Sequence, residues 1–156
     1  MTPTDHLEFR RESPELAVAM VAEIAAAGEG WVNLGPVVDD APTEARSGFF
    51  GIFSGRGPAL PLATYVPASG GRRSQPASIG IQHGAGPRAV GLLSEAGVEV
   101  PASWRVRQDH PRRGLVLELP AGVAAEGILE FLLDAATALS KVRVGDLWAA
   151  DRHGPR

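Results

Sequence analysis

Two short runs hold the residues whose types and spacing can support chemistry. The first is Gln82-His83-Gly84-Ala85-Gly86-Pro87-Arg88, a glycine-bearing turn that leaves an apolar run and opens another. A helix starting there exposes unpaired N–H groups and the positive end of its dipole, so a phosphate or carboxylate can sit on the backbone of Gly84 to Gly86 with His83 and Arg88 beside it. The run lacks the lysine and serine of a P-loop and the spacing of a dinucleotide fingerprint. A second reading of the same residues is a tight strand-to-helix turn that needs glycine backbone angles, with Pro87 at the first helical position.

The second run is Asp109-His110-Pro111-Arg112-Arg113-Gly114. A histidine beside an acid can act as an oriented general base, and Arg112 with Arg113 can grip an anion in fork geometry. Alternation of Trp104, Val106 and Gln108 before it and of Leu115, Leu117 and Leu119 after it places the run at a hairpin tip, where a solvated turn collects the same residue types. No other chemical set emerges. Ser54 and Ser69 lack the G-x-S-x-G context of a nucleophile elbow, and Glu126, Glu130 and Asp134 read as a solvated helix row.

The elements that must position these runs follow from periodicity. Ser13, Pro14 and Glu15 open a helix that carries Leu16, Met20, Val21 and Ile24 on one face and stops at Gly28. Strands are predicted at Trp31 to Leu34, Phe49 to Phe53 and Leu62 to Val66, an antiparallel meander with a turn over Gly55 to Pro61. Ala68 to Pro76 reads as a mobile loop. Beyond it come a strand at Ser78 to Gln82, a helix at Pro87 to Ala96, strands at Trp104 to Gln108 and Leu115 to Leu119, a long helix at Val123 to Ser140 and a closing strand at Asp146 to Ala150. That order is β-α-β-β-α-β, so the expected fold is α+β: a helix and meander followed by a ferredoxin-like unit, in one mixed or antiparallel sheet covered by helices. In this topology the hairpin tip falls at the edge away from His83. A composite of His83, Asp109 and His110 is then not expected, nor a metal site from two histidines and a carboxylate.

The segment from Gly84 to Val100 resembles the start of small-molecule-sensing ACT-type domains, in which a first strand is followed by a glycine-bearing loop, a helix and a second strand. Pro101, Ala102 and Ser103 depart from that pattern, and the resemblance is one of topology alone.

Length and composition bound the rest. The 156 residues suit a single domain over 1–156, with flexible termini expected at 1–11 and 151–156. A net charge of −3 and the lack of aromatics in the strands at 78–82 and 115–119 argue against nucleic acid. The lack of cysteine excludes thiolate catalysis and thiolate metal sites. Lys141 is the single lysine beside many arginines, which fits a GC-rich, bacterial coding genome. No apolar run is long enough for a membrane span and the N-terminus lacks a signal core, so a cytoplasmic protein without membrane contact is expected. Phe49 to Phe53 carries large apolar groups on both faces, which calls for a second cover. The expected function is therefore a non-enzymatic interaction or binding domain, without cofactor, that engages another protein or its own copy as a homodimer. The alternative is a small anion-binding or hydrolytic domain built on residues 83–88.

Overall fold

A computed structural model describes residues 2–38 and 60–154; the predicted strand at Phe49 to Phe53 lies outside them. Ten elements follow in order: β1 (Asp5–Arg10), α1 (Glu15–Ala27), β2 (Trp31–Pro36), β3 (Leu62–Val66), β4 (Ser78–Gln82), α2 (Ala89–Glu95), β5 (Arg105–His110), β6 (Gly114–Glu118), α3 (Ala125–Leu139) and β7 (Leu147–His153). The strands form one antiparallel sheet in the order β1-β7-β2-β3-β4-β6-β5.

The ferredoxin-like unit is not formed. In that unit β7 would pair with β4; instead β3 occupies that edge of β4, and β7 inserts between β1 and β2. The cause is β1, an element absent from the sequence-based reading. It runs parallel in sense to β2, to which α1 connects it, and the gap between the two strands is filled by β7. At the other end of the sheet β4, α2 and β5 repeat the arrangement with β6 in the gap. Each end is thus a split β-α-β unit, and β3 joins them. The topological likeness to ACT-type domains falls with the ferredoxin-like order.

Alternation fixes which face is buried. Val32, Leu34, Ala63, Tyr65, Ile79, Ile81, Leu115 and Leu117 point to one side and form the core with the helices. From α3 that core receives Ile128, Leu129, Leu132, Leu133, Ala136 and Leu139, the stripe visible in the sequence. Helix α1 contributes Ala17, Met20, Val21 and Ile24 and ends at Gly28, whose φ of 70° gives the left-handed cap that glycine accepts without strain. Burying the valine, leucine, isoleucine and methionine side chains among these, each stabilising by about 1.5–3 kcal/mol, drives the two-layer architecture. Arg152, on the helix side of β7, donates from Nη1 to Glu23 Oε2 at 2.6 Å and so ties that strand to α1.

The opposite face bears no described helix. It carries the exposed Leu62 and Val66 and the partly exposed Trp31, Asn33, Thr64 and Val116. Among the described residues no helix is long and apolar enough to cross a membrane.

Candidate functional site

The two runs singled out by sequence meet. Strand β4 is antiparallel to β6, so its C-terminal end lies beside the start of β6; Ile81 pairs with Leu115 and the hairpin tip abuts the His83 turn. The expectation that the tip sits at the other edge assigned the wrong end of β6 to β4.

A bulge in β5 completes the approach. Val106 faces Leu117, but Gln108 faces Val116, so one residue is extra on the β5 side. That slip turns Asp109, which pairs with the core residue Leu115, toward the helical layer. There its Oδ1 accepts from the Ala89 N–H at 2.9 Å and its Oδ2 from the Val90 N–H at 3.1 Å. Helix α2 has no side-chain cap of its own and is preceded by Arg88 in the left-handed region, with φ 62° and ψ 49°. Pro87 therefore lies before the helix and not at its first position. Asp109 supplies from across the sheet the acceptor that a local N-cap would otherwise provide.

These contacts decide what the runs can do. The helix-start amides of Ala89 and Val90 already hold a carboxylate, and within the Gly84 to Gly86 backbone, where an anion was expected, the Ala85 N–H is taken by His83. His83 is buried, and its Nδ1 accepts from the Ala85 N–H at 3.2 Å. The neutral ring then carries its proton on Nε2, which is buried without a hydrogen-bond partner. Burial lowers the His83 pKa from the ordinary 6.5, and the nearby Asp109 charge opposes that shift without cancelling it. A neutral imidazole with its lone pair committed to a backbone amide holds a turn. His110 is committed in the same way: its Nδ1 accepts from the Arg112 and Arg113 amides at 3.1 and 3.2 Å and shapes the tip. Gln108 closes the hairpin by donating to the Arg113 carbonyl at 2.9 Å.

The glycines differ in role. Gly114, at φ 82°, lets β6 start against β4, because a Cβ there would stand 2.4 Å from the Ile81 carbonyl oxygen. Gly84 is buried in the turn, whereas Gly86, at φ 99°, has open space where a side chain would be. Arg88, Arg112 and Arg113 are exposed at this end. Among the described residues no group of three His, Asp or Glu side chains is placed to hold a metal ion.

What sequence reasoning missed lies on the helix-free face. Trp31 stacks on His153 with ring centroids 4.9 Å apart and planes 9° from parallel. One step beyond the Val32–Tyr65 pair, the register sets Trp31 opposite Val66. Asn33 accepts from the Thr64 hydroxyl at 2.7 Å in the next row. The period of Leu-Ala-Thr-Tyr-Val in β3 carries the signal: Ala63 and Tyr65 face the core, so Leu62 and Val66 must face out. No protein-family model matches the chain, and no curated protein or solved structure is similar to it.

Proposed function

We propose that the protein is a cytoplasmic binding domain that associates with its own copy through the helix-free face of its sheet. The observation that carries this reading is the exposed aliphatic side chain of Val66 beside the partly exposed Trp31, whose ring is held in place by stacking on the buried His153. Leu62, four residues from Val66 on the same face of β3 with Thr64 between, adds a second exposed apolar group. A sheet face of this kind buries apolar area efficiently against a second flat surface, and a twofold axis lets one patch serve both partners. Between Leu62 and Val66 the Thr64 hydroxyl donates to Asn33 Oδ1 within the face, so that donor and acceptor stay paired when the face is covered. His83, Asp109 and His110 hydrogen-bond the backbone at the other end, which supports a reading centred on recognition.

Light scattering after size exclusion tests it. Raising the concentration is expected to bring the mass toward twice 16.3 kDa, and Val66→Glu, which sets a charge in the middle of the patch, is expected to keep it at 16.3 kDa. A wild-type mass that stays at one chain across the range contradicts the proposal.

A further inference from the structure

At the end of the sheet opposite the His83 turn, a groove of about 630 Å³ opens in the helical layer. It runs between the C-terminal turn of α1, the end of β3 and the segment leading into α3. Its volume falls inside the range of about 300–1,000 Å³ typical of small-molecule sites. Alanine, proline, leucine, valine, isoleucine and glycine make up the lining, and Tyr65 alone among the lining residues brings a polar side chain. No lining residue is charged.

The walls are fixed. The Leu119 N–H donates to the Ala77 carbonyl at 2.8 Å and joins the two segments on the floor. Pro76 and Pro120 flank that bond with restricted backbones. At the α1 end Gly28 packs beside Ala68, whose carbonyl oxygen would lie in ordinary contact, at 3.4 Å, with a Cβ at position 28. The Tyr65 ring is buried, and its hydroxyl makes no hydrogen bond to a described residue. Burial raises the tyrosine pKa above its ordinary 10.0, so the hydroxyl stays neutral and can either donate to a ligand acceptor or accept from a ligand N–H. An apolar trough with one unused hydroxyl is complementary to a ligand of matching pattern, because a charged ligand would be desolvated there without a partner.

We propose that this groove binds a neutral, mainly apolar small molecule whose single hydrogen-bonding group meets the Tyr65 hydroxyl. This site lies in the helical layer and does not depend on association through the sheet face. N-phenyl-1-naphthylamine, an uncharged fluorophore with one N–H, is the probe. Titrating it into the wild-type protein is expected to show saturable enhancement with one site per chain. Ala26→Phe on α1 and Ala121→Phe in the segment before α3 both fill the trough from solvent-exposed positions, and each is expected to weaken binding about tenfold or more. Tyr65→Phe keeps the shape and is expected to weaken it about fivefold by removing one hydrogen bond. Leu62→Ser, on the opposite face, is expected to leave it unchanged, which separates this site from the sheet surface. No saturable binding, wild-type affinity in both filling variants, an equal loss in Leu62→Ser, or an unaltered affinity in Tyr65→Phe would each overturn the proposal.

Discussion

Asp109 shows how one side chain can close an element that lacks its own cap. Its two oxygens take the amides of Ala89 and Val90, and nothing in the sequence near Arg88 offers a substitute acceptor. Asp109→Ala is expected to cost about 1–2 kcal/mol in denaturant unfolding, with Asp109→Asn retaining part of that. Unchanged stability in the alanine variant would show that the cap is dispensable. His83 gives the second expectation at this scale. Its pKa is lowered in the fold, chiefly by burial, so the unfolded chain takes up the proton first. The stability it contributes is present in full above about pH 6.5 and is lost as the pH falls below that value. Denaturation midpoints measured between pH 8 and 5 are therefore expected to decline, and His83→Gln, which cannot take up a proton in this range, is expected to flatten the decline. An equal slope in both proteins would assign it to other groups.

Elements are where the sequence was most and least informative. Helix α3 was legible because eight buried positions repeat at helical spacing over fifteen residues. Strands β3, β4 and β6 were legible from alternation and the turns that bound them. Strand β1 was not: Asp-His-Leu-Glu-Phe-Arg reads as a polar terminus, and its pairing with β7 spans nearly the whole chain. The same long-range pairing decided the sheet order, which no local pattern encodes. The bulge in β5 was equally silent, since Val106 and Gln108 keep the spacing of a regular strand while their partners shift by one. For that reason the candidate residues were found by type but their meeting was not foreseen. The hairpin carries its own test. Gly114→Ala combines a φ of 82° with a Cβ placed 2.4 Å from a backbone oxygen of β4, and is expected to destabilise by at least about 2 kcal/mol. Gly86→Ala meets no atom within 4 Å and is expected to show the conformational cost alone, about 1 kcal/mol. Equal effects at the two glycines would remove the close approach of β4 and β6 as the cause.

At the scale of the whole molecule, the described helices lie in one layer, and among the described residues no helix covers the other sheet face. Two split β-α-β units joined by β3 produce this lopsided form, because each crossover returns on the same side. The groove beside Tyr65 belongs to the helical layer and the Trp31 row to the helix-free face, so the two surfaces can be altered independently. Both edge strands carry charges, Asp5, Glu8 and Arg10 on β1 and Arg105 and Arg107 on β5, which discourages edge-to-edge pairing and supports the proposed association through the face. Leu16 on α1 supplies an internal control, since it is 67% exposed on the helical layer, against 36% for Leu62 and 42% for Val66 on the helix-free face. Hydroxyl-radical labelling at low and high protein concentration reads the three side chains in one sample. If the sheet face is the interface, labelling of Leu62 and Val66 falls as concentration rises while Leu16 keeps its rate. Constant labelling of Leu62 and Val66, or protection of Leu16 in their place, would contradict it.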